Sequence, residues 1–344
     1  MKRFILNFIG FIILVGLNAC TDIYDPLVDT ECEKRENIGV PHLPYPSYPS
    51  PYQDPSWSSD GKSIVFYRMK VTRISGAGSF FIDYDSTGIW MINADGSDMR
   101  LILKGSGYRS PDLSPDGKWL AFKFGGQIYN APFVNGQIDT TGFVQLTSVG
   151  SNHYPAWSHD GEWIAYARSV CEGTRTCGVW IINSNGERNR FIADYGMYPT
   201  WHPFKKEILY NRRVVTEGGK VLGDSLWVFN VESNENMRFF FLTDENYDNR
   251  HMTYSLDGEK IAFSSQPEEC PIQIWTINSD GTNLKQLTHE GASSEPSWSP
   301  DGRIVYVHYV SGKLDVNSGT LWVMDGDGGN QRQLTFNHGL ILDP

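Results

Sequence analysis

The sequence predicts an all-β chain folded as a six-bladed β-propeller with four-stranded antiparallel blades. One apolar phrase recurs six times, with its aligned aromatic or leucine positions 44 to 56 residues apart. A second phrase follows each copy, and the phrases turn on Asp-Gly or related pairs. A period of that length belongs to arrays of supersecondary units, not to a single mixed core. The composition agrees: 34 Gly and 18 Pro supply turns, and 11 Trp supply large fillers. No long stretch carries an amphipathic helical period.

The first phrase reads PSWSSDGKSIVFYR from Pro55, PDLSPDGKWLAFKF from Pro111 and PAWSHDGEWIAYAR from Pro155. It continues as PTWHPFKKEILYNR from Pro199, MTYSLDGEKIAFSS from Met252 and PSWSPDGRIVYVHY from Pro296. Gly61, Gly117, Gly161, Gly258 and Gly302 close its tight turns, where glycine takes a positive φ without steric cost. Blade four has Phe204-Lys205-Lys206 in place of that turn, so its first hairpin is expected to be looser or differently shaped. The second phrase, as in GIWMINADGSDMRLIL or QIWTINSDGTNLKQLT, adds an aromatic-bearing strand, another turn and a last strand. Four strands joined by hairpins make one blade. The Trp after each Pro is expected to wedge between neighbouring sheets.

These phrases resemble the TolB-like propeller repeat, a relative of the WD-repeat propellers, in its xPxWSPDGxxIAF…IWxxNxDGxxxxxLT form, over about 290 of the 344 residues. The resemblance implies a closed six-bladed ring around a central channel. Repeats of this family serve as partner-binding platforms, as domains appended to peptidases and in some enzymes of sugar metabolism, so the fold does not choose a function. The final Leu342-Asp343-Pro344 returns to the phase of Asp54-Pro55, and either residues 339–343 or part of the N-terminal tether could add a clasping strand.

Residues 1–19 read as a lipoprotein signal peptide. Lys2 and Arg3 precede an apolar run from Phe4 to Leu17, too short to span a bilayer comfortably. Leu17-Asn18-Ala19-Cys20 resembles the bacterial lipobox, which implies acylation of Cys20 and a lipid anchor. Residues 20–50 follow as a tether, polar at first and then proline-rich from residue 41, stiffened toward an extended spacer. Residues 51–344 form the propeller. The expected location is the cell envelope, on the outer membrane and facing the periplasm or the exterior. Export permits disulfides, and Cys171 and Cys177 flank a short loop that a bridge would staple, while Cys32 and Cys270 remain as a second possible pair.

The formal net charge of −11 becomes −13 once Lys2 and Arg3 leave with the signal peptide. Such a surface, without a basic stripe, excludes nucleic acid as a partner. No G-x-S-x-G elbow, Walker loop or G-x-G-x-x-G unit is present, and no cofactor is implied. Asp95-Gly96, Asp280-Gly281 and Asp325-Gly326-Asp327-Gly328 read as hairpin turns, since the longer ligand series of a calcium loop is missing.

The innermost strands and the loops feeding them line a propeller's channel. The expected site is therefore the pair of residues before each repeat's Pro, from which Asp54, Arg109, His153, Tyr154, Tyr198, Arg250, His251 and Glu295 are the candidate binding residues. His153 and His251 as metal ligands would need a third partner such as Asp54 or Glu295; without local ligand spacing, no metal site is assigned. The leading expectation is a monomeric, non-catalytic binding or scaffold lipoprotein. It would offer the channel mouth and the loops 69–88, 212–225 and 309–319 to an envelope protein or glycan. Tyr154, Tyr198 and the tether tyrosines would stack on a sugar. The alternative is a carbohydrate-active or lactonase-like enzyme, with Asp54 or Glu295 as acid/base and His153 or His251 as its partner.

Overall fold

The computed structural model describes residues 51–74, 80–170, 177–215, 221–240, 248–266, 270–310, 319–338 and 340–342. The signal segment, Cys20, Cys32, the tether to residue 50, Gly76–Gly78 and Cys171 lie outside them. Six sheets follow one another along the chain, each taking all its strands from one continuous stretch. Blade one comprises Tyr52–Trp57, Ser63–Arg68, Gly88–Asn93 and Arg100–Lys104. Here the four positions of a blade are lettered a to d, innermost to outermost. The first strands of blades three to six are Ser151–Trp157, Gly196–Trp201, Asp248–Tyr254 and Ala292–Trp298. In blade two, strands Arg109–Leu113, Trp119–Phe124 and Gln127–Val134 are regular, but position d is divided between Gln137–Ile138 and Val144–Gln145. A single 3-10 turn at Thr140–Gly142 separates those two pieces.

Strand b carries a run of fully covered residues in blades one and three. Ile64, Val65, Phe66 and Tyr67 are fully covered, as are Ile164, Ala165, Tyr166 and Ala167. Both faces of such a strand meet a neighbouring sheet, so it reads as a continuous apolar run instead of an alternating one. The a–b turns are built from the repeated Ser and Asp. Ser58 Oγ donates to Asp60 Oδ1 at 2.7 Å, which also accepts the Lys62 N–H at 3.0 Å. Gly61 completes the turn at φ 68°. Blade four makes this turn with an imidazole: His202 Nδ1 accepts the N–H groups of Phe204 and Lys205 at 3.1 and 3.2 Å. The hairpin without Asp-Gly is thus differently shaped, as expected, and the buried ring supplies its order.

The repeated Trp does stand between blades. Trp57 Nε1 donates to Ser297 O, and Trp201 Nε1 to Ala156 O, each at 3.1 Å. Innermost strands of consecutive blades touch all round, and the first meets the last. Tyr52, Trp57, Ile64 and Phe66 of blade one pack with Val305, Val307, Leu321 and Val323 of blade six in one core cluster. Tyr52 OH adds a bond to Phe336 O at 3.1 Å. The open question of the clasping strand is answered in part: Ile341–Leu342 pairs in parallel with Val71–Ile74, which also pairs with Phe80–Ile82. Within 69–88 the chain forms the strands Val71–Ile74 and Phe80–Ile82, and within 212–225 two strands of blade four run to Val215 and from Val221, so parts of both segments are ladder.

Asp112 ties three blades. Its carboxylate accepts Ser56 Oγ of blade one and the Trp157 N–H of blade three, both at 2.8 Å. Burial raises its pKa from 3.8 to about 6, against the pull of those two bonds. An acid that binds its proton more tightly when folded contributes stability that is complete below about pH 4 and is lost as the pH rises through about 6. Asp112→Asn keeps one acceptor and one donor, as the neutral acid does. Urea unfolding of the wild-type chain should lose on the order of 2–3 kcal/mol between pH 4 and 7 that the Asn variant retains. Asp112→Ala, which strands the Trp157 N–H, should cost about 1–3 kcal/mol at pH 4.

Candidate functional site

In every blade the a–b ladder slips across the repeat's Pro or Met252, and blade three slips a second time between Ser151 and Asn152. The register shifts fall between Gln53 and Ser56, Arg109 and Asp112, His153 and Ala156, Met197 and Thr200, Arg250 and Thr253, and Ser294 and Ser297. Within each bulge one non-glycine residue has left-handed backbone: Asp54, Ser110, Tyr154, Tyr198, His251 and Glu295, with φ between 50° and 59°. Such a conformation costs about 1–2 kcal/mol per residue, and a bulge of this kind re-aims a side chain. The result is one residue per blade at the same position on the innermost strand.

Close contacts run through these six from Ser110 round to Tyr154. The Ser110 N–H and Oγ donate to Asp54 Oδ2 at 3.0 and 3.2 Å. The Asp54 N–H donates to Glu295 Oε2 at 2.6 Å, and the Glu295 N–H to Ser264 Oγ at 2.9 Å. On the other side Tyr154 OH donates to Tyr198 OH at 3.4 Å, and their ring centres lie 4.3 Å apart. Tyr198 and His251 are also 4.3 Å apart, and one ligand atom from each of Asp54, His251 and Glu295 lies within 4.8 Å of the others. Two of the six are therefore acids and two are phenols, with Ser110 bonded to Asp54 and His251 between Tyr198 and the acids.

Electrostatics follow from enclosure. Burial, and then the Asp54 charge, push the Glu295 carboxyl up to about 8. Burial also raises Asp54, opposed by the Ser110 bonds and by the more distant Arg109 and Lys123 charges. Burial raises the Tyr154 phenol, and Tyr198 and the two acids add to the effect.

Five of the eight candidate residues thus belong to this ring: Asp54, Tyr154, Tyr198, His251 and Glu295. Arg109 turns away: its guanidinium stands 3.6 Å from the Tyr67 ring centre and donates to Ser106 O and Tyr108 O. The blade-two ring member is instead Ser110, second of the same pair; alignment on the residue directly before Pro identifies it. His153 bonds Ser151 Oγ and Ser169 Oγ at 3.0 and 2.9 Å and is not paired with His251. Arg250 sits one residue before its bulge position, opposite Ser264. The carboxylates of Asp95, Asp280 and Asp327 each accept an N–H of their own turn.

No protein-family model matches the chain. An uncharacterized protein of Agrobacterium fabrum is 26% identical over 241 residues, which are 66% of this chain and 75% of that one. The putative TolB of Agrobacterium tumefaciens superposes with a TM-score of 0.58 at 23% identity, over 70% of this chain and 84% of that one. TolB from Acinetobacter baumannii gives 0.59 at 19% identity, over 79% and 63%. An oligogalacturonate lyase in complex with manganese gives 0.53 at 14% identity, over 82% and 77%. The fold is what these structures have in common with the chain.

Burial, aided by the Lys123 charge, lowers the His153 pKa to about 4. The imidazole should stay neutral from pH 5.5 to 8, and a histidine-resolved NMR titration should show no inflection for it in that range.

Proposed function

The chain is a TolB-like six-bladed β-propeller, and on that fold we propose a non-catalytic binding module of the cell envelope. The carrying observation is the ring of six bulge residues. A rigid scaffold holds acidic and aromatic groups in fixed directions around one channel, so a ligand meets them with little ordering cost. Tyr154 and Tyr198 offer amphipathic faces of the kind that anchor protein interfaces and stack on sugars. The proposed partner is an envelope protein or glycan. The acylated Cys20 would hold the module at the membrane, most simply the outer one, with residues 20–50 as spacer and a Cys171–Cys177 bridge stapling one loop. Among the described residues no helix is long and apolar enough to cross a membrane.

A carbohydrate-active or lactonase-like enzyme is the rival reading, and it draws on the same acids. A hydrolytic carboxylate pair stands about 5–5.5 Å or about 6.5–9.5 Å apart, flanking the bond to be cut. Here the Asp54 main chain is bonded directly to the Glu295 carboxylate, and oxygens of the two acids come within 4.8 Å. One oxygen of each acid is already taken up by ring bonds, Glu295 Oε2 by the Asp54 N–H and Asp54 Oδ2 by Ser110, which favours the binding reading.

The test uses the full chain in cells, with a photo-crosslinking residue replacing Tyr198. Irradiation should give one discrete adduct, and Tyr154→Ser with Tyr198→Ser should lower retention of the same partner about tenfold or more. Adducts formed only from outer-strand positions, with none from the ring, would remove this reading.

A further inference from the structure

We infer that Asp54, His251 and Glu295 form a site for one divalent cation of the Mn2+ or Zn2+ type, set where the first and last blades meet. The inference stands whether or not the channel takes a partner. Three bulge positions on blades one, five and six supply the ligands, one atom from each lying within 4.8 Å of the others. One imidazole nitrogen and two carboxylate oxygens suit a borderline dication. Calcium prefers an all-oxygen shell of six to eight ligands. Three protein ligands leave open positions for water or a partner's own group.

The second observation is the charge balance. Two carboxylates adjoin in an enclosed place, yet no described Lys or Arg lies within ion-pair distance of either. The nearest cations, Arg109 and Lys123, act on Asp54 only from farther off, and Arg109 is bonded elsewhere. Adjoining anions in a low-dielectric site call for a bound cation or a shared proton. The arrangement of the remaining bonds fits the cation. Ser110 holds Asp54 Oδ2 and the Asp54 N–H holds Glu295 Oε2, while no described donor reaches Asp54 Oδ1 or Glu295 Oε1. The His251 ring is oriented by its contact with Tyr198. Outer contacts of this sort set the direction of metal ligands. The pairing of His153 with His251 weighed from the sequence is replaced by one histidine and two acids.

The experiment takes the full chain in detergent, strips it with EDTA and dialyses it against Mn2+, Zn2+ or Ca2+. The chain should retain one equivalent of Mn2+ or Zn2+ and melt at a higher temperature than in EDTA, with Ca2+ giving neither effect at the same concentration. Asp54→Asn with Glu295→Gln should abolish retention, yet melt in EDTA no lower than the wild-type chain, because like-charge repulsion is gone. Ser110→Ala should weaken binding about 10–100-fold. Should the double variant fail to fold, loss of the Mn2+-induced melting shift in Glu295→Gln alone reads the same ligand. Absence of stoichiometric metal on the wild-type chain, equal retention by the carboxamide variant, or Ca2+ binding as tight as Mn2+ would each overturn the assignment. The first leaves a shared proton as the balance of charge, and the second places the ion elsewhere.

Discussion

The structure depends on the packing of blade six against blade one. Every blade sheet draws its strands from one stretch of chain, so no blade sheet spans the closure. What holds the seam is side-chain burial in the cluster around Trp57, Phe66, Val305 and Val323, with bonds from Trp57 and Tyr52 to the main chain near the C-terminal end. Burial of a large apolar side chain is worth about 1.5–3 kcal/mol, so the cluster contributes to holding the seam through several such side chains. The small parallel pair of Ile341–Leu342 with Val71–Ile74 adds main-chain bonds to the same side. The ring of bulge residues exists only while that seam is shut, because Asp54 and Glu295 face each other across it.

Strain and the proposed site coincide at the bulges. Left-handed backbone at Asp54, Ser110, Tyr154, Tyr198, His251 and Glu295 is unfavourable residue by residue, and sixfold repetition makes it a property of the fold, not a local accident. Each bulge lies beside a b strand with buried apolar positions, such as Ile64 to Tyr67 in blade one and Leu120 to Phe122 in blade two. The same displacement that breaks the ladder turns one side chain per blade toward its neighbours in the ring.

Much of this was legible from the residues. The period, the Ser-x-Asp-Gly turns and the Trp after Pro report local rules, and local rules repeated six times fix an architecture. The site was legible to within one residue: the pair before each Pro holds the ring member, but a strand alternation argument cannot say which of the two faces inward once a bulge resets the phase. That is why Arg109 was favoured over Ser110. Three details were beyond the repeats. His202, standing where other blades have the turn serine, becomes the acceptor for the turn's N–H groups, blade two breaks its outer strand around Thr140–Gly142, and Ile341–Leu342 finds its partner some 270 positions away in the chain.

A left-handed bulge dictates where a side chain points and is indifferent to what that side chain is. Carboxylate, hydroxyl, phenol and imidazole all occupy the same socket here, with φ values within 9° of one another. In the proposed function, recognition and most of the mechanical integrity are housed in separate residues: the wheel is kept by its Trp wedges and buried strands, while six seats around the axle would set its chemistry. A scaffold so divided can acquire a new ligand through single substitutions at the seats, with no redesign of the spokes.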